Sequence, residues 1–201
     1  MSLDIAVADR YVVKTAAAVD PWTLADFKEY ARYSGSDQDT TMQTILKAAT
    51  QRVETELRCT LINTTYTAYM DAFPACDTIK LIPSPLSSVS SVKYYDTNDV
   101  LQTLTAATYY EVDAHSKPGR IVLRYLQQWP DTDERVNAVE IEYVSGFGAA
   151  GSSVPSTVML AIYTLASWWY EQREPVLVGK GASKLPNHID NLIQQARVFE
   201  F

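Results

Sequence analysis

The chain has 201 residues, 47% of them apolar and 20% charged, which suits one globular domain or a core domain carrying a smaller one. Its formal charge is −7 and its pI about 4.8, with no run of Lys or Arg, so a phosphate-gripping surface for duplex DNA is excluded. The same balance suits a surface that DNA passes without sticking.

Residues 1–20 lack a helix cap and read as an N-terminal arm, with "RYVV" (10–13) as a short strand. "TLAD" (23–26) then places a capping Thr three residues before an acid, and Leu24, Phe27 and Ala31 follow at helical spacing. The polar stretch 34–39 leads into a second helix. There Met42, Ile45, Leu46, Ala49, Val53 and Leu57 form one apolar stripe, and Gln43, Lys47, Gln51, Glu54 and Arg58 face away.

From Leu61 the period changes from helical to alternating. "INTTYTAYM" and "TIKLI" read as strands, the latter stopped by "PSP". "SVKYY" and "VLQTL" flank Asp96-Thr97-Asn98-Asp99, which predicts a hairpin. "TYYEVD" and "RIVLRYL" flank "SKPG", where Pro118-Gly119 fit the central positions of a type II turn. "AVEIEYV" alternates, with Val139, Ile141 and Tyr143 on one face and Glu140 and Glu142 on the other.

A helix returns near Pro155. Val158, Ile162, Leu165 and Trp169 form one apolar stripe, and Met159, Tyr163, Ala166 and Tyr170 form a second beside it. Together they cover about twice the arc that a surface helix normally buries. Such a helix is central to its own domain or shared with another chain. A last helix is expected at about 187–197, followed by the terminal aromatics Phe199 and Phe201. The predicted class is therefore α+β. A helical core of two N-terminal and two C-terminal helices (21–60 plus 152–201) is split by an inserted antiparallel β region (61–151).

Few residues suggest chemistry. Cys59, Cys76, His115 and His188 fall at no metal-ligand spacing, and the thiols read as reduced and partly buried. No signal peptide is visible, and the most apolar window, 158–170, is too short to span a bilayer, so a soluble chain made in the cytoplasm is expected, with no membrane partner. "GFGAAG" (146–151) is a literal G-x-G-x-x-G, the basis of an alternative reading as a nucleotide-binding enzyme. Its third glycine is not in the following helix, however, and the βαβ context is missing. "SSVK" (90–93) matches S-x-x-K within a strand, where positions three apart point to opposite faces. The aspartates at 71, 77, 96, 99 and 113 fall mainly at turns and strand ends and form no acid–base pair. No catalytic, cofactor-binding or metal-binding residue is assigned. Glu171, Arg173 and Glu174 read as a solvated helix end or as an intersubunit ion-pair belt. Trp168 and Trp169 read as intrachain core or as interface anchors.

Several segments in order carry a resemblance. "PWTLADFKEYARY", "QRVETELRCTLI" and "AFPACDTIKLIPSPLSSVSSVKYYD" are followed by "YYEVDAHSKPGRIVLRY", "WPDTDERVNAVEIEYVSGFG", "WWYEQREPVLVG" and "LPNHIDNLIQQARVF". From about Pro21 onward the chain resembles the head-to-tail connector (adaptor) family of siphophage-type virions and gene-transfer particles. The resemblance implies a structural virion protein at the head–tail junction, or neck. It implies a homo-oligomeric ring, commonly a dodecamer, docked below the portal and above a stopper or tail-completion protein. DNA passes through its lumen without specific binding. It also implies no catalysis and no cofactor, and a C-terminal region that engages the portal, here Val198, Phe199 and Phe201. Trp168, Trp169, Tyr170 and Arg173 are the remaining candidate interaction residues. The rivals are another neck component and the nucleotide-binding enzyme.

Overall fold

The apolar stripe from Met42 to Leu57 becomes the buried face of a 19-residue helix, with Ile45 half-buried at its margin. The computed structural model describes residues 6–8, 10–171 and 191. Its helices among these are α1 (Leu24–Tyr30), α2 (Asp39–Leu57), α3 (Ala106–Tyr109) and α4 (Ser156–Glu171). The described chain divides into two units. One is helical and joins Val19–Arg58 to the residues from Ala150 on; the other is built from strands and joins the residues up to Ala18 to Cys59–Ala149.

In the helical unit, Thr23 caps α1 as its position predicts, its Oγ1 accepting the Asp26 N–H at 3.2 Å. Phe27 on α1 is fully buried. Arg58 ends α2 at φ 47°, donating its N–H back to Glu54 and Thr55 carbonyls, a left-handed cap more often made by glycine. α2 and α4 pack together. Trp22 lies nearby, its Nε1–H donated to Thr50 Oγ1 at 3.0 Å in a buried setting.

The strands are β1 (Ala6–Ala8), β2 (Tyr11–Thr15), β3 (Thr64–Met70), β4 (Thr78–Leu81), β5 (Leu86–Tyr95), β6 (Leu101–Leu104), β7 (Tyr110–Asp113), β8 (Arg120–Leu123) and β9 (Val139–Ser145). They form a four-stranded sheet, β1-β4-β8-β7, and a five-stranded sheet, β2-β3-β9-β5-β6. One core serves both: Ala8, Ile79, Leu81 and Ile121 from the first meet Tyr66, Ala68, Ile141 and Tyr143 from the second. β9 is central and keeps its alternation, with Val139, Ile141 and Tyr143 buried. A strict period of two is what a strand with one core face requires.

The expected β5–β6 and β7–β8 hairpins form. Asp96 Oδ1 accepts the amides of Asn98 (2.9 Å) and Val100 (3.1 Å), which explains the Asp at that turn. Four details differ from expectation. The N-terminal segment supplies β1 in addition to the strand expected at 10–13, because pairing with β4 and β3 satisfies its backbone groups. The β1–β4 pair is parallel within an otherwise antiparallel pattern. Residues before β7 form a turn of helix. Gly119 lacks the positive φ of a type II turn; it is a glycine because a Cβ there would collide with the Leu86 side chain.

Candidate functional site

The structure shows how much of α4 the helical unit covers. Val158, Ala161, Ile162, Leu165 and Ala166 are buried, while Met159, Tyr163, Trp168, Trp169 and Tyr170 are half-buried and Leu160 is 42% exposed. The second stripe is partly clothed by aromatics from and just after α1. The Tyr163 ring lies 5.8 Å from Phe27 and 5.6 Å from Tyr30, in tilted contacts. Tyr33 meets Tyr170 edge-on at 6.2 Å. Thr164 Oγ1 donates to the Leu160 carbonyl at 2.7 Å, so the Tyr30 hydroxyl is the donor in its 3.0 Å bond to Thr164.

Two of these hydroxyls, those of Tyr33 and Tyr163, are shifted away from ionisation. The Tyr33 hydroxyl donates to Asp37, and this hydrogen bond, with burial and nearby negative charge adding to it, pushes its pKa up to about 12. Burial raises that of Tyr163. Trp168 and Trp169 are each only partly buried. Glu171 is exposed. Arg173, Glu174, Val198, Phe199, Phe201 and the helix expected at 187–197 lie outside the described residues, as does His188.

The glycine-rich loop has a different task from cradling phosphate. Gly146 stands at φ 147°, and its N–H is donated to the Pro85 carbonyl at 2.9 Å. The Phe147 N–H goes to Leu61 O at 3.1 Å, and Asn63 N–H is donated to Gly148 O at 2.9 Å. Amides already spent on backbone carbonyls are not available to a pyrophosphate. Gly151, likewise, lies where a Cβ would run into the Pro21 carbonyl. The G-x-G-x-x-G pattern reflects close backbone approach, which corrects the nucleotide-binding alternative.

The perturbed carboxylates are structural too. Asp113 accepts from the Ser116 hydroxyl (2.6 Å) and amide (3.1 Å), from Arg120 Nε (2.9 Å) and from the His115 amide (3.0 Å). Those bonds, led by Ser116, hold its carboxyl well below the usual range. Asp71 is lowered by Arg10 and the Asn137 amide, and Asp96 by Gln102 and two backbone amides. Each braces a turn or strand end and faces no second acid. Among the described residues no cluster of His, Cys, Asp and Glu could hold a metal, and Cys59 and Cys76 are not joined in a disulfide. No helix among them is long and apolar enough to cross a membrane.

One feature escaped the sequence reading. The outer face of the five-stranded sheet forms a shallow groove of about 240 Å³ that includes Lys14, Lys93, Glu140 and Glu142. Lys14 Nζ lies 2.6 Å from Glu142 Oε2. The alternation of Glu140 and Glu142 signals an outward polar face, but which lysines lie opposite depends on strand order.

A family model described as "Head completion protein" matches residues 22–199. Among solved structures, a chain in the neck of an empty gene transfer agent (GTA) particle computed with C6 symmetry superposes with a TM-score of 0.76 at 22% identity, over 95% of this chain and 96% of that one. A chain of the native GTA virion gives 0.75 at 21%, over 95% and 96%. One from the native GTA neck computed with C12 symmetry gives 0.68 at 23%, over 94% and 97%. At these identities the structural likeness establishes the fold. No curated protein sequence matches the chain significantly.

Proposed function

The chain belongs to the head completion protein family, a structural and not a catalytic family, and from that premise we propose that it is the adaptor of a phage-like particle. In this reading, identical copies form a ring at the head–tail junction, seated below the portal and above a stopper or tail-completion protein, and DNA passes through the lumen. The observation that carries it is the incomplete cover on α4. Two adjacent tryptophans stay partly accessible on a helix whose Val158, Ala161, Ile162, Leu165 and Ala166 already form a core. Large aromatics left partly open are the residues that most often anchor protein interfaces. The formal charge of −7 suits a channel wall that must not retain DNA. The neck chains of similar fold come from structures computed with C6 and C12 symmetry, which supports a ring and favours a dodecamer.

Native mass spectrometry of the full chain, with and without portal, tests the reading. A ring on portal is expected. Substituting Trp168 or Trp169 by Ala lowers ring yield more than it lowers the melting temperature of the single chain. Equal loss of both assigns the tryptophans to the internal core. Binding to tail components with none to portal makes the protein another neck component, a stopper or tail-completion protein.

A further inference from the structure

The β unit has two lateral sides, and strand order identifies them. β1 and β2 are the end strands of their sheets and are separated by two residues, so together they form one side. β6 and β7 are the opposite end strands and are joined through Thr105 and α3, so they form the other.

Apart from Val136 in the loop before β9, the exposed large apolar side chains among the described residues of the β unit lie on or beside these end strands. On the first stand Val7, Tyr11 and Val13, each 40–54% exposed, while Val12 beside them lines the groove on the outer face of the five-stranded sheet. On the second stand Val100, Leu101 and Val112, each 39–51% exposed. Tyr125 and Leu126, 89% and 82% exposed, extend the second side. Their turn is fastened to the head of β7 by the Arg124 N–H, which donates to Tyr109 O at 2.9 Å. Leu126 has φ 63° in a turn closed by Gln127 N–H on Arg124 O, a place where glycine or asparagine is usual. A branched apolar residue kept there in full solvent view needs a reason outside the single chain. The outer face of the five-stranded sheet, by contrast, presents paired Lys and Glu.

The charges of the two sides are opposite. Residues 6–15 hold Arg10 and Lys14 against one acid, Asp9, while residues 96–113 hold Asp96, Asp99, Glu111 and Asp113 and no base, with Arg135, Arg124 and Arg120 reaching Asp99, Glu111 and Asp113 from outside that stretch. Arg10, Lys14, Asp99 and Glu111 have partners within the chain, yet half or more of each side chain remains exposed.

We infer that the β unit carries a subunit interface of its own, in which the β6/β7 side of one copy packs on the β1/β2 side of the next. Unlike sides joined head to tail make a heterologous contact, which closes into a ring at the right rotation per copy. The inference rests on the ring reading and adds a contact that does not involve α4. The contact is made by side chains: Lys14 and the register shift between Val13 and Thr15 protect the β2 edge against indiscriminate strand pairing.

The test uses the full chain, with portal present. A Val13→Cys/Leu101→Cys chain treated with a short bis-maleimide should give a ladder of covalent multimers reaching the full ring. Each single-cysteine chain should give only the background of Cys59 and Cys76. Charge substitutions supply a second readout. Val13→Glu sets an acid against the acidic side and Leu101→Lys a base against the basic side, so each should lower the assembled fraction by roughly tenfold. The double variant should recover assembly, because each copy then presents matched charges. Dimers from either single-cysteine chain, or cross-links to portal alone, overturn the inference. A chain that assembles normally in all variants without a ladder overturns it and leaves the ring reading standing. A wild-type chain that stays monomeric with portal removes both.

Discussion

In a Gly146→Ala chain the new Cβ sits 2.5 Å from Asn63 N and 2.7 Å from both Asn63 Cα and Ile62 C. Non-bonded carbons settle at about 3.5–4.0 Å. All three neighbours are main-chain atoms, so no rotamer change relieves the overlap. The φ of 147° adds a conformational cost of about 1–3 kcal/mol for a residue with a side chain. Moving the loop away strains the bonds that hold it, Gly146 N–H to Pro85 O, Phe147 N–H to Leu61 O and Asn63 N–H to Gly148 O. Each is worth about 1 kcal/mol net, and with one or two lost the total is about 2–5 kcal/mol. For a chain of this length, 1 kcal/mol moves the melting temperature by about 2–4 °C, so a drop of about 4–20 °C is expected in a calorimetric or circular-dichroism melt. A variant melting within about 3 °C of wild type refutes the reasoning. So does one that melts normally but loses a measurable nucleotide-binding signal.

Other outcomes follow from single contacts. Thr50→Val removes the buried acceptor of the Trp22 Nε1–H, which costs about 1–3 kcal/mol, whereas Thr44→Val, at an exposed hydroxyl with the same bond to the carbonyl four residues back, stays within about 0.5 kcal/mol; urea denaturation separates them. Asp113 has a folded pKa below its unfolded value of about 3.9, so its stabilising contribution is present at neutral pH and fades as pH falls below about 4. The melting-temperature gap between wild type and Asp113→Asn should therefore narrow steadily on acidification, and a gap unchanged down to about pH 2 contradicts the assignment.

The strands were legible wherever one face is buried. β9 shows this best: its Val-Glu-Ile-Glu-Tyr pattern announces both its period and its two faces, since a slip of one residue would invert them. α2 was legible for the matching reason, a continuous apolar stripe at helical spacing. In the N-terminal segment β1 was missed, and β2 was legible only through the β-branched pair in "RYVV". β2 is exposed along its whole length and is held by ladder bonds to β3, so its sequence carries little burial signal. The turn of helix before β7 misled for a related reason: Tyr109 and Tyr110 suit a strand by propensity, but the local turn is set by the Thr108 and Tyr109 amides returning to Thr105 O.

Composition and pattern alone determined the α+β class, the capped α1, the amphipathic α2, the two hairpins and an excess of apolar surface on α4. These depend on residue periodicity and on turn chemistry, which are local. Tertiary structure alone decided which strands neighbour each other, that Gly146 and Gly151 stand where backbone approaches closely, and that Val7, Tyr11 and Val13 stand on one pair of end strands while Leu101 and Val112 stand on the other. Those facts depend on pairings between segments far apart in the chain, such as Ala6 with Ile79 or Thr64 with Ser145. Their geometry arises only when the backbone polar groups of distant strands satisfy one another.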